Sequence, residues 1–426
     1  MSQDRVPDQD TDGPASRPKR AAGVLSRPVS EGDSVTTLEL FFDLVFVFAL
    51  TQVTAKMADD LTVGGLVRGL LIIALLWWSW TAYAWLGNLV RADEGITRIG
   101  MFAAMAVMFV LALSIPEAFD DAPGGLSGPV VIAVCYFLFR ALHLLLFYVS
   151  SAGDAGLRAQ LLRFTPAMLA GTALLLVAAA TDGPAQTWLW VAALAADYLG
   201  TYLGGARGWR VASPGHFAER HGLIVIVALG ESIVAIGVGV AELPISWPIV
   251  VASALGLALA GSLWWAYFDV SALVAEHALT AATDERRANM ARDAYSFVHL
   301  PLMAGIVMLA LGLKKVLQYV GDVHHHDLGD PLKGVGLAAL VGGVVLYLIA
   351  HVGFQLRTTG RLNPARLVVA LLLVPLALLG KSLPALATLA VLTAIVVALI
   401  AYESVRYAAD RHRARNHHRH GVVASE

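Results

Sequence analysis

The residues able to do chemistry in this chain are charged groups set inside apolar runs. Glu39 and Asp43 stand i, i+4 in Leu38-Glu39-Leu40-Phe41-Phe42-Asp43, so on a helix both project from one face. Glu219-Arg220-His221 introduces a second apolar run that reaches Val240, and Glu231 sits in its middle beside Gly230. At about 1.5 Å per residue, Glu231 lies roughly 15 Å beyond His221, near the midplane of a hydrocarbon layer about 30 Å thick. An ionised group at that depth costs about 3 kcal/mol or more unless it is paired, protonated or wetted. Two chemistries suit such a group. It can load and unload a proton or cation, or it can hold a structural hydrogen bond from its protonated form to Thr51 or Gln52 of the first run.

Glu39, Asp43 and Glu219 occupy similar depths near one end of their runs and suit an entry vestibule for a cation or proton, with Arg140, Arg220, His143, His221 or His351 as counter-charges. The plainer reading of Glu39 and Glu219 is that they sit in first helical turns and favour the positive dipole end. Asp43 is a turn deeper among Phe41, Phe42 and Phe46 and suits a paired or functional role. Asp197 can pair with Arg140. His299-Leu300-Pro301 puts a titratable ring ahead of a helix breaker, where Pro301 frees a carbonyl, as at interrupted helices of transporters. Trp77, Trp78, Trp80, Trp85, Trp264 and Trp265 can stack on an organic substrate or simply pack between helices. The tracts His324-His325-His326 and His417-His418 are read as incidental, with no metal site. No cofactor motif appears: Walker A, GxSxG, HExxH and paired CxxC are all absent.

The elements that must position these groups follow from composition. Of 426 residues, 58% are hydrophobic and only 15% charged, and apolar runs of helix length recur throughout. That is an all-α integral membrane protein. The single cysteine, Cys135, excludes an intramolecular disulfide. Twelve spans are expected, at 38–58, 66–89, 98–116, 128–149, 160–180, 187–205, 219–240, 247–269, 292–317, 333–356, 363–380 and 383–405. Lys and Arg concentrate in alternate loops and in both tails, whereas the other loops carry Asp59, Asp60, Asp120, Asp121, Asp182, Glu242 and Asp322. The positive-inside rule therefore puts both termini in the cytoplasm. The basic C-terminal run suits anionic lipid headgroups and not nucleic acid.

The chain also matches itself. Glu39 to Thr54 lies without a gap on Glu219 to Val234; Trp77-Trp78 and Tyr83 answer Trp264-Trp265 and Tyr267; His143 answers His351; Arg163-Phe164-Thr165-Pro166 answers Arg361-Leu362-Asn363-Pro364. This points to a duplicated six-helix unit with both copies in one orientation. The expected organisation is a disordered cytoplasmic tail at 1–35, six-helix units at 36–210 and 211–405, and a basic cytoplasmic tail at 406–426.

Leu38 through Phe48, together with Glu219-Arg220-His221-Gly222-Leu223 running to Leu229-Gly230-Glu231-Ser232, resembles the signatures of the bacterial low temperature requirement protein A family, over about residues 30 to 405. Glu39, Phe42, Asp43, Glu219, Arg220, Gly230 and Glu231 are the matching positions. The resemblance implies a multi-pass plasma-membrane protein linked to growth in the cold, and implies no known reaction or substrate.

The expected function is secondary transport of a small solute or ion, coupled to protons or another ion, with its pathway between spans 1 and 7 and its partners the lipid bilayer and that solute. Two alternatives stand beside it: a membrane-embedded enzyme acting on lipid, with Glu39, Asp43 and neighbouring histidines as acid, base or metal ligands, and a non-catalytic bundle that supports growth in the cold.

Overall fold

The computed structural model describes residues 27–151, 154–206, 208–322 and 324–406. Most of both expected tails (1–26 and 407–426, with His417 and His418) and Arg207 lie outside the described residues. Within the described residues the chain is helical, with two isolated β-bridges and no strand.

In chain order the helices are α1 (Thr37–Asp59), α2 (Val63–Gly87), α3 (Gly95–Leu113), α4 (Gly128–Ser150), α5 (Ala155–Ala178), α6 (Gly183–Gly204), α7 (Pro214–Gly239), α8 (Trp247–Phe268), α9 (Ser271–Thr280), α10 (Asp284–Met290), α11 (His299–Gly321), α12 (Gly334–Thr359), α13 (Pro364–Leu379) and α14 (Ala385–Arg406). A seven-residue π-helical segment, Ala291–Phe297, joins α10 to α11. Ten helical stretches among the described residues are long and apolar enough to cross a membrane. The molecule is a multi-pass helical membrane protein. Two further expected spans coincide with α6 and α13, which fall short of that standard. At 16 residues α13 reaches about 24 Å, less than the hydrocarbon thickness.

The stretch between the expected eighth and ninth spans is not a loop. Ser271–Thr280 forms α9, which buries Ala275 and Leu279 against α7, α8 and α12. Residues 27–35, the end of the stretch read as a tail, run along the loop after α2. There Val29 N donates to Leu89 O at 3.1 Å and Arg91 N to Arg27 O at 2.9 Å.

α1 and α7 pack on each other at the centre, with α2, α3 and α11 around α1 and with α8, α9 and α11 around α7. Each starts with a strong cap. Thr36 and Glu39 form a reciprocal capping box at α1, and Ser213 caps α7 with Pro214 in its first turn. α11 and α12 approach through small residues. A Cβ on Gly312 would lie 2.4 Å from Leu340 Cα, and one on Gly305 2.7 Å from Gly343 O. Such contacts draw helices together where burial from water supplies no drive.

Candidate functional site

The capping box fixes the first site. Glu39 Oε2 accepts from Thr36 N (2.9 Å) and Thr36 Oγ1 (3.0 Å), so this carboxylate is anchored at its own helix start. One turn on, Asp43 projects from the same face toward α7, as the spacing predicts. Arg220 of α7 meets both. Its Nη2 donates to Asp43 Oδ1 at 3.1 Å, and its Nη1 lies 3.8 Å from Glu39 Oε1. Trp80 of α2 donates its indole N–H to the same Asp43 oxygen at 2.8 Å and presents its ring to the guanidinium at 5.5 Å. His216 Nε2 sits 3.2 Å from Glu39 Oε2. Glu39, Asp43, His216 and Arg220 are each at most 3% exposed. Charges this deep are tolerated only when paired. Asp43 Oδ2, Glu39 Oε1, His216 Nδ1 and Arg220 Nε nevertheless make no hydrogen bond to any described residue.

Glu219 does not join them. It is exposed, and its Oε2 accepts from Val35 N at 3.1 Å. Neighbouring residues on a helix differ by about 100°, so placing Arg220 inward turns Glu219 outward. The expected trio of carboxylates is therefore a pair with an arginine and a histidine. His216 was not among the sequence candidates, although it stands i, i+4 before Arg220 on the same face. Ser213-Pro214 is the signal that starts α7 early enough to include it.

Glu231, the second site, is 1% exposed at mid-helix and accepts from Thr51 Oγ1 of α1 at 2.6 Å. This is one of the two arrangements expected for it. The one hydroxyl hydrogen of Thr51 is shared between Glu231 and Val47 O, which lies 3.1 Å away; Thr54 is a second hydroxyl at the carboxyl, and Lys314 of α11 is near enough for its charge to act on it.

Between these two sites and the α12 side lies a box of rings. His221 Nδ1 bonds Phe217 O at 2.8 Å, and its ring is 5.0 Å from Trp80 and 5.5 Å from His299. His299 bonds Ala294 O at 2.9 Å through Nδ1 and Tyr267 OH at 2.9 Å through Nε2. His351 is fully buried beside Tyr267 and Tyr347. The interruption expected at Pro301 is present, displaced to the π-helical turn before it. The Ser296 carbonyl, five residues before Pro301, takes an outside donor, Trp77 Nε1, at 2.7 Å.

Arg140 and Asp197 pair at 3.3 Å, with Tyr136 OH also on Asp197. With His143 they lie on the far side of α2, so they are not counter-charges of the α1–α7 cluster. A comparable pair closes the other half of the chain: Arg366 to Glu403, through two bonds of 2.8 Å. Outside the spans, the histidine tract is tied down locally. His325 Nδ1 is 2.8 Å from Asp322 Oδ2, which holds that carboxyl below its usual range, and His326 stacks on Tyr319.

The chain is 30% identical over 343 residues, 76% of its own length and 78% of the relative's, to an uncharacterized protein of Rhizobium meliloti. No solved structure matches it significantly. The bacterial low temperature requirement A protein family matches residues 34–401, a stretch that includes both carboxylate sites, and the chain belongs to that family.

Proposed function

We propose that this protein is a proton-coupled secondary transporter in the cell membrane, with the cluster Glu39, Asp43, Arg220 and His216 as its coupling centre. The observation that carries this reading is charge balance. Two buried carboxylates face one guanidinium, so with a neutral His216 the cluster holds one surplus negative charge. A single unbalanced charge in so dry a place costs about 3–5 kcal/mol, which a proton on His216 or on a carboxylate removes. The cluster is thus built to hold one proton and to prefer different packings with and without it. Glu231, paired to the hydroxyls of Thr51 and Thr54, serves as the second proton-holding position near the midplane.

The proposed frame is two six-helix halves, residues 36–210 and 211–405, spanning twelve times with both termini cytoplasmic. Corresponding helices pack in corresponding ways: α1 on α2 and α3 as α7 on α8 and α11, α4 on α5 as α12 on α13, and α5 on α6 as α13 on α14. Each half also contains an arginine–carboxylate pair between its helices, Arg140 with Asp197 and Arg366 with Glu403. This supports a repeat with α1 and α7 as its shared interface, where parallel-repeat transporters change shape.

The test is proton movement in liposomes containing the purified protein and an internal pH dye, with an imposed gradient and a panel of small organic and inorganic solutes. Wild type is expected to show solute-dependent proton flux, and Asp43→Asn to fold but lose it. Equal solute-dependent flux in wild type, Asp43→Asn and Glu39→Gln would overturn the reading.

A further inference from the structure

On the far side of α2 from the charge cluster, α2, α4, α5 and α6, with the α6–α7 loop and the π-helical segment, line a cavity that opens to the surface. Its body is aromatic: Trp85, Trp209, Phe147, Phe164 and Phe297 line it, and Trp85 and Trp209 meet edge to face at 4.1 Å. Arg140, Arg210 and Arg292 also line it, and no described Asp or Glu does. The three arginines are paired with Asp197, Asp154 and Asp293, and Asp293 also pairs with Arg357.

The wall has unused hydrogen-bonding capacity. Trp78 Nε1, Thr81 Oγ1, Arg140 Nε and both ring nitrogens of His143 make no hydrogen bond of ordinary geometry to any described residue, though each of these side chains is at most 9% exposed. Buried polar groups are nearly always paired, so a set of orphans around one cavity marks where a ligand's polar atoms go. Two of them, the indole N–H and the guanidinium Nε–H, can only donate, and the histidine supplies a third donor in the tautomer whose N–H points away from the Ala82 carbonyl. A surplus of donors calls for an acceptor-rich group. With Asp293 shared between Arg292 and Arg357, the carboxylates around the wall fall one charge short of the arginines, which suits a monoanion.

We propose that this cavity binds a small monoanionic carboxylate with a flat aromatic body, its carboxylate on Trp78, Arg140 and His143 and its ring among Trp85, Trp209 and Phe164. As the substrate site, this inference rests on the transport reading above. α2 provides the link between the two. Trp78, Thr81 and Trp85 face the cavity, while Trp80, from the adjoining face of the same turns, bonds Asp43. Trp85 Nε1 further bonds Ser296 Oγ at 3.0 Å, in the π-helical turn that the Trp77 indole also grips. A ligand seated on α2 therefore bears on the helix that holds the proton centre.

Binding is read on the purified full-length protein in neutral detergent with no gradient, by calorimetry and thermal shift. The probes are naphthoate, naphthamide, naphthylmethylamine and phosphatidylglycerol. Naphthoate is expected to bind saturably and to raise the melting temperature, with the amide and the amine at least tenfold weaker. Trp78→Phe and His143→Leu should each weaken naphthoate about tenfold or more, the loss expected when one hydrogen bond to a charged group goes. Trp78→Phe keeps the ring in place, so an unchanged melting temperature without ligand separates lost recognition from lost folding. Equal binding of naphthamide, unchanged affinity in both variants, tighter binding of phosphatidylglycerol at this wall, or no binding up to about 10 mM would overturn the proposal. The two readings fail separately. Binding without proton-linked flux of naphthoate removes the transport reading and keeps the site, whereas proton-linked flux of other solutes without naphthoate binding removes only this assignment.

Discussion

Along the contact between α1 and α7, Glu39 and Asp43 are held by formal charge, whereas Glu231 is held by threonine hydroxyls, Thr51 first and Thr54 beside it. Near the helix starts a guanidinium, an imidazole and an indole N–H converge on two carboxylates within 2.8–3.8 Å. At mid-helix the partner is Thr51 Oγ1 at 2.6 Å. The difference follows from depth and from numbers of groups. A cluster with cations can keep its acids ionised and shift its balance by one proton. A lone acid at the midplane is stable as a neutral donor or acceptor. The first arrangement responds to protonation through charge, and the second through hydrogen bonds to neutral hydroxyls, so the energetic consequences of breaking them should differ several-fold.

The largest expected effect is at Arg220. Arg220→Met keeps the packing volume against Trp80 and leaves Glu39 and Asp43 buried without their shared cation. Removing one member of a buried ion pair costs about 3–5 kcal/mol, so this variant should unfold at a clearly lower temperature in detergent. Partial rescue by Asp43→Asn in the same chain would identify uncompensated charge as the cause. A melting temperature equal to that of wild type would mean that the cluster is not held by charge, and the contrast with Glu231 would disappear.

A smaller effect is expected at Gly87, the last residue of α2. A Cβ there would lie 2.5 Å from Glu39 Oε1, with His216 Cε1 at 4.0 Å. Gly87→Ala must push the carboxylate toward its Thr36 anchor and away from Arg220, at about 1–3 kcal/mol for an overpacked site. Glu39→Asp, one methylene shorter, should relieve part of that cost, so the double variant should be more stable than the sum of the singles predicts. Strict additivity would show that the two do not meet.

How much of this was legible beforehand depended on how far apart in sequence the interacting groups lie. Charged residues inside apolar runs announce themselves, and Glu39, Asp43, Arg220 and Glu231 were found that way. The pairing of Arg140 with Asp197 and the bond between Glu231 and Thr51 were each among the readings the runs allow. The outward turn of Glu219 was missed because depth alone does not give rotation; only the inward commitment of Arg220 decides it. His216 falls outside the span expected at 219–240, although Ser213-Pro214 carries the signal that starts α7 before it. Pro301 marks an interruption but not its position, because the π-helical turn forms where Trp77 from another helix offers a donor to Ser296 O. The cavity behind α2 was illegible for a similar reason. Its wall is assembled from four helices, a loop and the π-helical segment, and the unpaired state of Trp78, Thr81 and His143 exists only once those elements have packed.

The smallest expected effect is at the midplane, and it sharpens the contrast most. Thr51→Val is nearly isosteric, removes the hydroxyl that bonds Glu231, and also frees Val47 O of its extra donor. Removing one partner of a buried neutral hydrogen bond costs about 1–3 kcal/mol, and Thr54, the second hydroxyl at the carboxyl, keeps the loss at the low end of that range. Glu231→Gln, by contrast, retains an oxygen that can accept from Thr51 and should lose less than about 1 kcal/mol. The order Thr51→Val worse than Glu231→Gln, with both milder than Arg220→Met, is what a neutral hydrogen-bonded acid requires, and thermal unfolding of the three variants side by side reads it directly. If Glu231→Gln were instead as damaging as Arg220→Met, the Glu231 carboxyl would be ionised in the folded protein. Lys314, the cation whose charge acts on it, would then be its true partner, and the two ends of the α1–α7 contact would work by the same electrostatics.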